Sequence, residues 1–290
     1  MPHLFIFGLG YSAGAVARRA LAAGWQVTGT TRDAAKAKDL EGDGLNVLLL
    51  SPVDERTALS AALADSTHLL SSAAPGEAGD PILEAYRDTL LDNAESLRWI
   101  GYLSSLSVYG DRQGAWVEET TRAEPSSAVG RRRLEAEQAW GEFAKSLALP
   151  LAVFRIAGIY GPGRNLLRDL KAGKARQVTK PGQVFNRIHV ADIAGAVLAA
   201  MERPERSGVF NLADREPAAQ SQVVQEAARL LGVAAPPATP VAEANLSPMA
   251  QRFWSENRRV SAHRLTKDLD YALRYPTYRE GLAGLLSSER

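Results

Sequence analysis

The chain has 290 residues, 46% hydrophobic and 23% charged, which suits one large soluble domain or two intimate ones at roughly 100–200 residues per domain. Lys and Arg number 34 against 33 Asp and Glu, a formal net charge of +1, and this balance argues against a general polyanion binder such as a nucleic-acid protein. Cys is absent, which excludes disulfides, thiolate metal sites and a cysteine nucleophile, and fits an expected cytoplasmic location.

The first half alternates short apolar runs with helical patterns. Strands are expected at His3–Phe7 (HLFIF), Trp25–Thr30, Asn46–Leu50, His68–Ser72, Trp99–Ser105, Leu151–Ala157 and Gly208–Ala213. Between them fall helices at Ala13–Ala23, Ala34–Leu40, Glu55–Leu63, Ile82–Leu97 and Gly130–Leu147, with Asp80 and Pro81 as N-cap and first-turn proline of the fourth. Such alternation implies right-handed crossovers and a doubly wound parallel α/β sheet of about seven strands, apolar on both faces because helices cover each side. After Gly161 the rhythm loosens. Residues 1–163, completed by 184–213, are read as the sheet domain. Residues 164–183 and 214–290 form a smaller carboxyl-terminal substrate lobe. The apolar stretch Leu4–Ala17 has only His3 before it and Arg18 and Arg19 after it, the reverse of a secretory signal. No other run approaches the about 18 apolar residues of a membrane span, so no membrane partner is expected.

FIFGLGYSAG (Phe5–Gly14) joins the first strand to the first helix, and Gly8, Gly10 and Ala13 fit G-x-G-x-x-(G/A). Gly8 permits the tight turn, Gly10 lets the backbone approach a pyrophosphate, and Ala13 keeps helix and strand close, as in a Rossmann-type dinucleotide site. The helix amino terminus then offers N–H groups and a positive dipole end to phosphate. The alternative is a packing turn without ligand. At the end of the second strand an NAD-preferring site carries Asp or Glu; here the sequence reads GTTRD, with Thr30 and Thr31 in that place and Arg32 after them. Arg32 suits a 2′-phosphate, so NADP(H) is expected over NAD(H). Its plainer role is a solvated loop arginine neutralised by Asp33.

GLGYSAG at the start, YLSSLSVYGD (Tyr102–Asp111), FRIAGIYGPGR (Phe154–Arg164), RIHVADIA (Arg187–Ala194) and VFNLAD (Val209–Asp214) together resemble the extended short-chain dehydrogenases/reductases, the NAD-dependent epimerase/dehydratase group. The resemblance implies cofactor contacts at Gly8, Gly10, Tyr11, Ser12, Ala13, Thr31, Arg32, Ala73, Ala74 and Ser104. It also implies a catalytic serine and a Tyr-x-x-x-Lys pair. The serine falls on Ser105. The tyrosine falls on Val129 and the lysine on Arg133, within AVGRRRLEAE, so two of the three positions depart and the active site is atypical.

The arginine run has a plainer reading. Arg131 faces Glu135 and Arg133 faces Glu137 at i,i+4, as on an exposed paired helix surface, although Arg133 is expected to turn inward. Tyr109 and Tyr160 sit in turns at strand ends, and Tyr109 is the candidate replacement proton donor. His189 is either a titrating group or a structural histidine, and Asp192 is expected to cap the helix after it. No metal-ligand spacing is present. Trp116, Phe253 and Trp254 are candidates for the substrate pocket or for core and interface packing. Two functions remain open. One is an oxidoreductase or epimerase acting on a hydroxyl or carbonyl carbon of a small or sugar-like substrate. The other is a non-catalytic NADP(H)-binding sensor or scaffold. A homo-oligomer is compatible with either.

Overall fold

The computed structural model describes residues 1–50 and 55–288. Its centre is a seven-stranded sheet made of β1 (His3–Phe7), β2 (Gln26–Thr31), β3 (Asn46–Leu49), β4 (His68–Ser71), β5 (Trp99–Ser105), β6 (Leu151–Ile156) and β7 (Gly208–Leu212). They lie in the order β3-β2-β1-β4-β5-β6-β7, and every neighbouring pair is parallel. The order reverses between β1 and β4, the switch point at which open α/β sheets bind ligands outside their carboxyl ends. All seven expected strands are present.

Because successive strand residues face opposite sides, the sheet feeds two cores. Leu4 and Ile6 of β1 enter one and Phe5 and Phe7 the other. The first core is closed by α1 (Tyr11–Ala22), α2 (Ala34–Gly42) and the almost entirely buried α7 (Val190–Met201). The second is closed by α3 (Glu55–Ala64), α4 (Pro81–Asp92) and α5 (Ala128–Ser146), with Trp140 and Phe143 of α5 fully buried. Asp80 caps α4 as expected, accepting from the Ile82 and Leu83 amides at 3.0 and 3.3 Å. That helix ends at Asp92 and not at Leu97, which reaches the second core from the following loop.

A third core joins α6 (Leu166–Lys171), α8 (Gln220–Leu231) and the last helix (Tyr278–Ser288) through Leu167, Val223, Tyr278 and Leu282. Three two-stranded parallel ribbons, absent from the sequence expectation, tie distant segments together: Gly158–Tyr160 with Arg187–His189, Gln177–Thr179 with Ala238–Pro240, and Trp116–Val117 with Arg259–Val260. Val260, Leu265 and Leu269, from the segment read as the lobe, pack into the first core. The lobe's last two residues lie outside the described residues. Among the described residues, no helix is long and apolar enough to cross a membrane.

Candidate active site

The turn between β1 and α1 is held from below by β2. Gly8 stands at φ +83°, a conformation that favours glycine, and its amide donates to Thr30 Oγ1 at 2.9 Å. The next amide, Leu9 N, donates to the Thr30 carbonyl at 2.8 Å. Thr30, expected at the ribose, is therefore the post that sets the turn. Gly10 is the N-cap of α1 and supplies no side-chain cap, which leaves first-turn N–H groups for a ligand. A Cβ at Gly10 would meet nothing closer than the Gly8 carbonyl and Ser72 Oγ, both at 4.0 Å. No protein contact requires a glycine there; the space suits a pyrophosphate. Ala13 is fully buried at the helix–strand contact.

Thr31 ends β2 buried, its hydroxyl accepting from the Asp33 amide at 3.2 Å, and Arg32 follows exposed. Asp33 does not neutralise it. Its carboxylate caps α2, accepting from Ala35 N and Lys36 N at 3.0 and 3.1 Å, and among the described residues no ion pair joins it to Arg32. Ala73 lies against the glycine turn, its amide nitrogen 3.7 Å from a Cβ built on Gly8, while Ala74 is exposed in the loop beyond.

From the mouth of α1 a cleft of about 670 Å³ runs along the carboxyl edge of the sheet. Tyr11, Ser12, Ser104, Ser105 and Arg133, all site candidates from the sequence, line it. Phe253, one of the aromatic pocket candidates, lines it too, while sequence reasoning missed Ser72, Ser107, Arg164, Arg187 and Arg258. Arg187 and Arg164 sat within quoted motifs; Arg258 comes from the far end of the chain with no local signal. Of the aromatic candidates, exposed Trp116 lines a separate hollow near His263, and Trp254 packs edge-on to Phe185 with centroids 4.9 Å apart.

The two serines ending β5 point apart. Ser105 caps the short 3-10 turn Leu106–Tyr109, accepting from Ser107 N at 3.2 Å, and lines the cleft. Ser104 is 5% exposed and donates to Glu137 Oε1 at 2.5 Å, so its hydroxyl is committed inside the protein. Ser107 Oγ, in the cleft lining, is buried without a hydrogen-bond partner among the described residues.

Arg133 turns inward as expected. One guanidinium nitrogen donates to Leu103 O at 2.9 Å, Tyr102 Oη at 3.1 Å and Ala73 O at 3.4 Å, tying α5 to the ends of β4 and β5. Burial pushes the Tyr102 hydroxyl up to about 12, against the nearby Arg133 charge, so it stays protonated. The expected pairing of Arg133 with Glu137 is absent, because Glu137 meets Arg155 of β6 at 2.7 Å with both side chains 7% exposed. No ion pair joins Arg131 to Glu135 among the described residues, and Arg132 bridges to Glu77 at 2.8 Å.

Tyr109 is not placed to donate a proton to a ligand. Its ring is fully buried, and its hydroxyl donates to Asn211 Oδ1 at 2.8 Å, with the Glu118 carbonyl at 3.1 Å. Burial pushes its pKa up. Val129, 44% exposed in the first turn of α5, lies outside the cleft lining. His189 is structural: Nδ1 accepts from Ala191 N at 3.1 Å, the ring sits against Tyr160 and Tyr275, and burial pushes it down to about 4. Asp192 does not cap α7. It accepts from Tyr271 Oη and from the Arg274 and Tyr275 amides at 2.9, 2.6 and 3.1 Å, fastening the carboxyl-terminal segment to the sheet domain. Asp214, at the end of β7, is pushed up to about 7 by burial, with Arg187 opposing the shift.

The sequence from residue 5 to residue 213 matches the NAD dependent epimerase/dehydratase family. The chain belongs to that family. Protein YeeZ of Escherichia coli K12 is 32% identical over 243 residues, covering 81% of this chain and 86% of that one. A structure described as a functionally unknown conserved protein from Silicibacter pomeroyi is 42% identical, with a TM-score of 0.88 over 100% of both chains. Human epimerase family protein SDR39U1, solved with NADPH, shares the fold at a TM-score of 0.74 and 17% identity, covering 98% of this chain and 99% of that one.

Proposed function

We propose that this protein binds NADP(H) across the glycine turn and exchanges hydride with the carbon of a hydroxyl or carbonyl group in a small-molecule substrate. The observation that carries the reading is one continuous cleft. It joins the uncapped mouth of α1 to Ser105 and Arg133 at the floor and to Phe253 and Arg258 of the carboxyl-terminal segment. Gly8, Gly10, Tyr11, Ser12 and Ala13 hold the pyrophosphate, and Arg32 meets the 2′-phosphate. When bound, the nicotinamide supplies the redox chemistry. Ser105, already oriented by the Ser107 amide, donates its free hydroxyl to the substrate oxygen and polarises it. Arg133 stays charged and is fixed by three acceptors, so it steadies the ribose side electrostatically rather than relaying a proton.

NADPH is expected to bind more tightly than NADH by roughly 10–150-fold, the worth of a good charge-assisted phosphate contact. Titration by nucleotide fluorescence tests this, and equal affinities, or a preference that survives Arg32→Ala, would overturn the assignment. The chemistry is tested by NADPH oxidation over a panel of aldehydes, ketones and sugars. Turnover that drops by about 100-fold or more in Ser105→Ala supports it.

A second reading, a non-catalytic NADP(H) sensor or scaffold, is favoured by one observation. Val129 and Tyr109, the family position and the sequence's substitute for the proton donor, both lie outside the cleft lining. Tight NADPH binding with no turnover across the panel would select it.

A further inference from the structure

Behind the cleft lies a second chamber of about 200 Å³, smaller than the roughly 300–1,000 Å³ of ordinary ligand pockets. Four residues line both spaces and so form the neck between them: Ile159, Tyr160, Arg164 and Arg187. Beyond the neck, Leu166, Val223 and Leu282 give the chamber an apolar side, and Tyr278, Asn165 and Asp169, its one carboxylate among the described residues, complete the lining.

Several polar groups at and beside this neck have hydrogen-bonding capacity left over among the described residues. The hydroxyls of Tyr160 and Tyr278 are both buried and have no hydrogen-bond partner among the described residues, and Tyr278 is 1% exposed. Arg187 spends one nitrogen on Phe185 O and Ala218 O, at 2.9 and 3.1 Å. Its remaining N–H groups have no acceptor among the described residues. Arg164 stacks its guanidinium over the Tyr11 ring at 5.9 Å, and among the described residues no carboxylate pairs with it. Among the described residues lining the main cleft, Arg133, Arg164, Arg187 and Arg258 stand with one acid, Glu256, which Arg258 already pairs at 2.8 Å. At the neck, Arg164 without a carboxylate partner, the spare N–H groups of Arg187, whose charge is offset in part by nearby Asp214, and the Tyr160 hydroxyl match an oxyanion, with the Tyr278 hydroxyl in the chamber beyond, because unpaired buried donors are costly until an acceptor arrives.

We infer that the neck between Arg164 and Arg187 holds the oxyanion head of a compact substrate whose short apolar body occupies the side chamber. Calling that ligand a substrate rests on the function proposed above; the site itself does not. The head is a carboxylate or a phosphate monoester, which share this chemistry. The chamber excludes a nucleotide body.

The test is calorimetric titration of the full chain, with and without NADPH, using acetate, butyrate, inorganic phosphate and propyl phosphate. One head class should bind saturably, and the whole C4 acid or propyl ester should bind roughly tenfold more tightly than the bare head, from the burial of its methylenes. The tighter pair, acetate–butyrate or phosphate–propyl phosphate, names the head. Arg164→Gln and Arg187→Gln should each weaken that binding by about tenfold or more, leaving NADPH affinity unchanged. Arg164 is exposed, so its variant decides the matter if the Arg187 variant fails to fold. Absence of saturable anion binding, binding indifferent to Arg164→Gln, or a loss of NADPH affinity in that variant would each overturn the inference. Arginine-dependent anion binding in a protein that ignores NADPH would sustain this site and sink the cofactor reading.

Discussion

Gly10→Val should abolish NADPH binding while the protein stays folded. The backbone at Gly10, φ −77° and ψ −169°, is open to any residue, and a Cβ there meets nothing within 4 Å except two oxygens at 4.0 Å. The folded chain therefore has no reason of its own to keep a glycine. A dinucleotide does, because its pyrophosphate must come within hydrogen-bonding reach of the α1 amides, and valine methyl groups would stand in that path. The expected loss of affinity is about 100-fold or more, near 3 kcal/mol, with a melting temperature close to wild type. Gly8→Val is the contrasting control. At φ +83° a β-branched residue is strained, so that variant should lose stability as well as binding. A Gly10→Val protein that still bound NADPH at wild-type affinity would show that the glycine turn serves packing alone.

The sheet was readable because its strands are continuous apolar runs closed by turn residues, the pattern that burial on both faces demands. HLFIF shows how far such reading goes: composition announces a strand, and period two then divides its residues between two cores. The ribbons at Trp116–Val117 and Gln177–Thr179 are two and three residues long, too short for any periodicity to appear. Their partners lie at Arg259 and Ala238, far along the chain. The glycine turn was readable because it is local, whereas the Arg164–Arg187 neck is assembled from separate loops and ribbons that only tertiary packing brings together. Ser104 and Ser105 fall between these cases. Both were visible as cleft candidates, but which hydroxyl faces the ligand depends on strand phase and on Glu137 waiting across from β5.

Glu137 is also where local reading failed most clearly, and it carries the largest expected effect on stability. Helical spacing offers it Arg133, yet an exposed i,i+4 pair contributes only a few tenths of a kcal/mol. The tertiary alternative is a buried bidentate pair with Arg155, Nη2 to Oε2 at 2.7 Å and Nε to Oε1 at 3.1 Å, with the Ser104 hydroxyl completing the carboxylate. Arg155 in turn lies over the Tyr109 ring at 4.8 Å, and Tyr109 bonds Asn211 of β7. One carboxylate thus links α5, β5, β6 and β7. Glu137→Ala would leave a guanidinium 6% exposed and unpaired in the second core's margin, an expected loss of about 3–5 kcal/mol. Denaturant unfolding should read this as a lower midpoint with little change in slope. Desolvating two charges is itself costly, so the pair is expected to add little over a well-packed apolar replacement. The double variant Glu137→Met with Arg155→Met should therefore recover most of what Glu137→Ala loses, a coupling measurable as a double-mutant cycle. If the double variant is as unstable as the single one, the stabilisation resides in the charge pair and its Ser104 and Tyr109 contacts, and not in avoiding an orphaned arginine.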